Sequence, residues 1–87
     1  MIVTEHIDFQ TRGNGEMTEL TGKVAAIIER TGLSAGIVVV FASGATGAVT
    51  TSEYEAGLVA DMEGALERIA PVDIEYAHNQ RWGDGNG

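Results

Sequence analysis

The apolar run from Ile37 to Phe41 restricts the fold of this chain more than any other sequence feature. β-Branched and aromatic residues favour strands, and a run that is apolar on both faces needs cover on both sides. We therefore predict a strand over Ala35 to Ala42. Ser43-Gly44 forms a break, and the small and β-branched residues from Thr46 to Thr51 predict a second strand. The two strands form a hairpin or bend from one sheet into another.

Two helices are predicted from apolar residues at helical spacing. The first opens with Thr18 as its N-cap and stops at Gly32. The second begins at Ser52, which has the capping-box spacing to Glu55, and ends at Pro71. The apolar stripes are Leu20, Val24, Ile27 and Ile28 in the first helix and Leu58, Met62, Leu66 and Ile69 in the second.

The remaining segments complete a mixed order of elements. Alternation from Ile2 to Gln10 predicts an N-terminal strand, and residues Arg12 to Gly15 predict a turn. After Pro71 the chain reads as an extended tail. Strands adjacent in sequence favour an α+β fold over a parallel α/β fold. The 87 residues predict a single domain with a thin margin of stability.

The charge balance excludes one broad class of partner. Thirteen acidic residues against five basic ones give a formal charge of −8, whereas a nucleic-acid surface needs clustered Lys and Arg. A small phosphorylated molecule remains compatible, because one Arg or one helix N-terminus can bind a phosphate locally. No apolar run approaches the roughly 20 residues that span a bilayer, and no secretory signal is visible. We therefore expect no membrane partner and a cytoplasmic location.

Three segments together resemble the YjbQ family, the secondary thiamine-phosphate synthases. Gly36 to Gly57 combines an apolar strand, a short turn, a Thr-rich strand and an acidic helix start. Ala65 to Pro71 ends a helix with Leu-Glu-Arg-Ile-Ala-Pro. Tyr76 to Asn86 contains Tyr-Ala-His-Asn and Asp-Gly-Asn, and is the most specific of the three. Many relatives have Pro-His-Thr-Thr where this chain has Ser43-Gly44-Ala45-Thr46, so any role of that histidine is absent.

The resemblance implies a fold, an assembly and a reaction. The implied fold is a mixed two-sheet domain of order β-α-β-β-α-β, and the implied assembly is a homotrimer. The domain would be incomplete at the C-terminus, because the family's His-Ser-His motif and last strands would follow Gly87. The implied reaction joins a pyrimidine pyrophosphate to a thiazole phosphate, with a divalent metal, zinc or magnesium, as cofactor.

His78 is the strongest candidate for catalysis and for metal binding, because an imidazole can ligate metal or carry a proton. One histidine is not a metal site, since three or four ligands are normally needed. Asp84, as a catalytic residue, and Asn86, as a substrate-binding residue, would add oxygen ligands to such a metal or support its other ligands. The alternative is that His78 is a half-exposed loop residue bonded to backbone.

The other candidates each have a plain structural alternative. Asn79 and Trp82 would orient or stack a planar ring, or Trp82 would cover an apolar edge or a subunit interface. Glu53 would act as a general base or as a carboxylate that bridges a metal, beside Thr51, which would contact substrate. Helix capping and the helix dipole fully account for acids at a helix start. The resemblance favours a site role for Glu53.

Two functions follow from these expectations. The first is a metal-assisted thiamine-phosphate synthase of the YjbQ type. The second is a non-catalytic trimeric module that binds a small molecule or a metal. Metal analysis with and without His78→Ala distinguishes a metal-dependent protein from one that needs no metal.

Overall fold

The computed structural model describes residues 1–83, and its regular elements are three helices. They are α1 (Thr21–Thr31), α2 (Ala56–Ile69) and α3 (Ala77–Trp82). The chain divides into two units, Met1–Tyr54 and a second unit that begins at Glu55. Helix α1 therefore belongs to the first unit, and α2 and α3 belong to the second.

The predicted α+β two-sheet fold is wrong for this chain, because residues 1–83 contain no strand. The predicted strands at Ile2–Gln10, Ala35–Ala42 and Thr46–Thr51 all lie outside regular secondary structure. The physical reason is that helices and strands find the partners of their backbone hydrogen bonds in different places. A helix bonds its own backbone four residues away, whereas a strand needs a second strand beside it. Among the described residues, none from 34 to 53 takes part in a backbone hydrogen bond outside the helices.

Helix α1 confirms the predicted apolar stripe and its stop signal. Gly32 has φ 72°, and its N–H donates to the Glu29 carbonyl at 3.2 Å. The left-handed conformation is one that glycine adopts at little cost. The predicted N-cap is wrong, because the helix begins at Thr21 and its cap position, Leu20, makes no side-chain hydrogen bond.

The N-terminal segment of the first unit is tied to α1 by two side-chain contacts. The Lys23 ammonium lies 5.2 Å from the centroid of the Phe9 ring, within cation–π range. The Arg30 guanidinium lies 3.7 Å from a carboxylate oxygen of Glu5. Both contacts are exposed, and pairs of that kind contribute only about 0–1 kcal/mol each.

The turn predicted at Arg12 to Gly15 is confirmed. Gly13, Asn14 and Gly15 all have positive φ, at 85°, 39° and 82°. The Glu16 carboxylate closes the turn by accepting from the Arg12 backbone N–H at 2.9 Å and from its Nε at 3.1 Å.

Helix α2 ends where the sequence predicts and begins later than predicted. Its last residue is Ile69, and Pro71 follows the C-cap Ala70. The predicted capping by Ser52 is wrong. Glu55 is the N-cap, and its carboxylate accepts from the backbone N–H groups of Gly57 and Leu58.

No residue in the described part of the chain is buried. The predicted stripes are partly covered. Their half-buried residues are the α1 cap residue Leu20, Val24 and Ile27 in α1, and Leu58 and Met62 in α2. Partial cover leaves much of the apolar surface in water, so it yields less than the roughly 1.5–3 kcal/mol per fully buried side chain. The order of these helices therefore depends mainly on local hydrogen bonds and caps.

Candidate functional site

The connection between α2 and α3 is closed by two hydrogen bonds. The Tyr76 hydroxyl donates to the Pro71 carbonyl at 2.6 Å, and the Val72 N–H donates to a Glu67 carboxylate oxygen at 3.1 Å. Both bonds join residues five positions apart. They fix the path of the chain between the end of α2 and the start of α3.

Helix α3 contains most of the candidate residues within the described part of the chain. The Asn79 N–H donates to the Tyr76 carbonyl at 3.0 Å, and the Gly83 N–H donates to the Asn79 carbonyl at 2.6 Å. Gly83 ends the helix with φ 65°. The sequence prediction of an extended tail is wrong here, because six residues are too few to display a helical period.

Three side chains of α3 form what we term the ring cluster: His78, Arg81 and Trp82. His78 and Trp82 stand one helical turn apart, with ring centroids 6.4 Å apart and planes inclined by 48°. The Arg81 guanidinium carbon lies 5.3 Å from the Trp82 ring centroid. Trp82 is 62% exposed, so most of the indole is available to a ligand.

The ring cluster combines three chemical properties. The indole offers a flat apolar face for stacking, the guanidinium offers a fixed positive charge, and the imidazole can donate or accept a proton. Together they suit a ligand with a planar ring and an anionic group. Arg81 was missed from the sequence; the available signal was its position directly before the chain's single tryptophan.

The other predicted site residues are distributed along the chain. Asn79 lies on α3 and is half-buried. Thr51 and Glu53 lie in the first unit, are exposed, and make no side-chain hydrogen bond to any described residue. Asp84 and Asn86 fall outside the described residues. The site roles of all five stay predictions.

The described residues do not build a metal site by themselves. Within residues 1–83 no three His, Cys, Asp or Glu side chains are grouped closely enough to hold an ion. A zinc or magnesium ion needs several ligands, and His78 supplies one. The donor set of residues 1–83 therefore does not fit the metal that the resemblance implies.

Within residues 1–83 the structure shows three helices, with the ring cluster on α3, and comparison with known proteins gives the family of the chain. The model of the family described as "UPF0047 protein YjbQ-like" matches residues 5–87. A UPF0047 protein of Methanothermobacter thermautotrophicus is 33% identical over 78 residues. The chain belongs to the YjbQ-like UPF0047 family, as the sequence resemblance predicts.

The match covers most of this chain but only part of the relative. It covers 90% of this chain and 54% of the archaeal relative, so the chain spans about half the length of that curated relative. No solved structure matches the chain. In the described part of the chain, no helix has both the length and the apolar character needed to cross a bilayer.

Proposed function

We propose that the ring cluster binds a phosphorylated small molecule that contains a planar ring, as part of a thiamine-phosphate synthase activity. The observation that carries the proposal is the cluster's geometry: the Arg81 guanidinium lies over the Trp82 ring, the His78 ring lies one helical turn away, and Trp82 is largely exposed. A pyrimidine ring would stack on the indole, and its pyrophosphate would extend toward the guanidinium.

The chemistry assigns a separate role to each side chain. In the reaction the thiazole nitrogen forms a bond to the methylene carbon of the pyrimidine, and that carbon's bond to the pyrophosphate oxygen breaks. Arg81 would offset the charge that develops on the leaving pyrophosphate. His78 would donate a hydrogen bond from a ring N–H to the same group. Trp82 would hold the pyrimidine ring in place.

The metal implied by the resemblance is left out of these steps. His78 is a single ligand, and the described residues add no cluster to it. A divalent cation would enter the proposal only with ligands from outside residues 1–83. Homotrimer formation and cytoplasmic location likewise remain predictions.

Binding can be tested directly, because Trp82 is the only tryptophan in the sequence. Its fluorescence is titrated with the pyrimidine pyrophosphate, with the thiazole phosphate and with inorganic pyrophosphate alone. We expect a saturable change with the pyrimidine compound and little change with pyrophosphate, which has no ring to stack. No change with either ring compound would refute binding at the cluster.

Arg81→Gln tests the charge, and Arg68→Gln is its matched control. Both variants remove one positive charge from the last turn of a helix in the second unit. Loss of an exposed ion pair with the pyrophosphate, worth about 0.5–1 kcal/mol, weakens binding by roughly two- to fivefold. We expect that loss for Arg81→Gln alone. Equal weakening in both variants would indicate net charge rather than the cluster.

Turnover distinguishes this function from the alternative of a non-catalytic binding module. The alternative is favoured by the lack of a metal-ligand cluster within residues 1–83. Both substrates are incubated with the chain, with and without added Mg²⁺ or Zn²⁺, and thiamine phosphate is measured by chromatography. Product that depends on His78 and Arg81 supports the enzyme. Binding without product under every condition supports the binding module.

A further inference from the structure

The turn from Arg12 to Glu16 carries an Asn-Gly pair at its tip. Asn14 and Gly15 are both exposed, and both have positive φ, at 39° and 82°. The Glu16 carboxylate accepts from the backbone N–H and from the Nε of Arg12, and we term these two hydrogen bonds the Arg12–Glu16 clamp. Neither tip residue takes part in the clamp, so both are accessible to water.

An Asn-Gly pair contains the two groups that react in deamidation. The backbone nitrogen of Gly15 attacks the side-chain amide carbon of Asn14 and forms a new C–N bond. The bond from that carbon to Nδ2 breaks, and Nδ2 leaves as ammonia with the proton of the Gly15 N–H. Water then opens the resulting succinimide ring. Opening at the side-chain carbonyl gives aspartate, whereas opening at the main-chain carbonyl gives isoaspartate, in which the backbone runs through the former side chain.

Both reacting groups at the tip are unobstructed. Among residues 1–83 no group accepts a hydrogen bond from the Gly15 N–H, and the Asn14 side chain forms none. Gly15 has no side chain that would hinder the approach to its nitrogen. Asn79 provides a contrast, because it is half-buried in α3 and is followed by Gln80, whose side chain lies beside the nitrogen that would attack. We therefore expect Asn14 to react faster than Asn79.

We propose that Asn14 is a site of spontaneous deamidation and that its isoaspartate product opens the Arg12–Glu16 clamp. Isoaspartate adds a methylene group to the main chain between Arg12 and Glu16. The Arg12 N–H then no longer lies opposite the Glu16 carboxylate, which it now reaches at 2.9 Å. The aspartate product adds the same negative charge but keeps the length of the main chain, so it leaves the backbone hydrogen bond of the clamp in place.

Peptide mapping of the full chain after prolonged incubation tests the site. Trypsin cleaves after Lys and Arg, so Asn14 falls in the peptide Gly13–Lys23 and Asn79 falls in Ile69–Arg81. Asn86, which lies outside the described residues, falls in a third peptide. Chromatography with mass spectrometry measures the loss of each amide and separates aspartate from isoaspartate. We expect Asn14 to react roughly tenfold faster than Asn79 or more, and its rate to rise with pH, because loss of the Gly15 N–H proton creates the nucleophile. Equal rates at Asn14 and Asn79 would overturn the proposal.

The same measurement in guanidinium chloride tests whether the native turn is as open as the structure shows. Amides in exposed loops open at almost no free-energy cost, so the native and unfolded chains should deamidate at Asn14 at rates within about threefold of each other. A native rate far below the unfolded rate would mean that the fold protects Asn14, and it would overturn the proposal.

Amide exchange at Arg12 tests the effect on the clamp. Loss of one hydrogen bond worth about 1 kcal/mol should make the Arg12 amide exchange roughly fivefold faster in the isoaspartate form. Asn14→Asp is the control for charge and should leave that exchange unchanged. Asn14→Gly is the control for incubation, because glycine keeps the positive φ and has no amide to lose. An isoaspartate form with unchanged Arg12 exchange, or equal acceleration in Asn14→Asp or in incubated Asn14→Gly, would overturn the opening of the clamp by isoaspartate.

Discussion

Replacing Glu55 with alanine is expected to weaken the start of α2. The carboxylate accepts from two backbone N–H groups, those of Gly57 and Leu58, and alanine leaves both to water. Loss of an N-cap costs about 0.5–2 kcal/mol. Because the helix start is exposed, we take a value near the middle of this range, about 1 kcal/mol. This cost raises the equilibrium constant for local opening of the first turn roughly fivefold.

Amide hydrogen exchange measures that change locally, which suits a chain in which none of residues 1–83 is buried. At neutral pH the first-turn amides of α2, from Gly57 to Val59, should exchange about five times faster in Glu55→Ala than in the native chain. Glu55→Gln keeps a side-chain oxygen and should fall between the two. Amides in α1 should not change.

Glu53→Ala is the matched control for this experiment. It removes the same charge two residues earlier and leaves the cap in place. Equal acceleration in Glu53→Ala and Glu55→Ala would mean that charge near the helix end, rather than the cap, sets the stability of the first turn. No acceleration in Glu55→Ala would refute the reasoning from the two hydrogen bonds.

Three further predictions concern local hydrogen bonds and the backbone conformation of one glycine. The hydrogen bonds from Arg12, first from its backbone N–H and then from its side chain, hold the pKa of Glu16 below the ordinary value of 4.5. The turn's contribution to stability is therefore present above that value and is lost as pH falls through the lowered pKa; an NMR titration should find the Glu16 pKa moved back upward in Arg12→Gln. Tyr76→Phe removes the hydroxyl that bonds the Pro71 carbonyl and should cost about 0.5–1.5 kcal/mol, seen as faster amide exchange in α3. Gly32→Ala forces a left-handed conformation that costs roughly 1–2 kcal/mol, so circular dichroism should register a loss of helix; an unchanged spectrum would contradict the role of the positive φ.

Features set by a few neighbouring residues could be predicted from the sequence. The stripe from Leu20 to Ile28, the stop at Gly32 and the end of α2 before Pro71 all depend on spacing and backbone sterics within one or two turns. The caps were less predictable. Ser52 and Glu55 can each serve as an N-cap, and the hydrogen bonds that Glu55 makes decide between them.

The strands could not be predicted reliably for a different reason. The composition of Ile37 to Phe41 favours an extended backbone, but a strand exists only where a second segment completes its hydrogen bonds. No such segment pairs with it among residues 1–83. Composition shows that the backbone prefers to be extended. It does not show whether a segment distant in sequence lies beside it to form the hydrogen bonds. Helix α3 was missed because its six residues are too few to show a helical period.

Ligand binding at the ring cluster should be coupled to the order of α3. Because none of residues 1–83 is buried, the spacing of His78 and Trp82 depends on a short helix and on the Tyr76 hydrogen bond before it. A ligand that contacts both rings binds the helical form preferentially and stabilises it, by about 2.7 kcal/mol at a concentration 100 times its dissociation constant. A saturating pyrimidine pyrophosphate should therefore slow amide exchange in α3 by roughly a hundredfold and leave α1 unchanged. Tyr76→Phe should weaken binding of the same ligand, although the substitution changes no side chain of the ring cluster. If Trp82 fluorescence saturates while α3 exchange stays unchanged, the ligand contacts the indole alone and the cluster does not act as a unit.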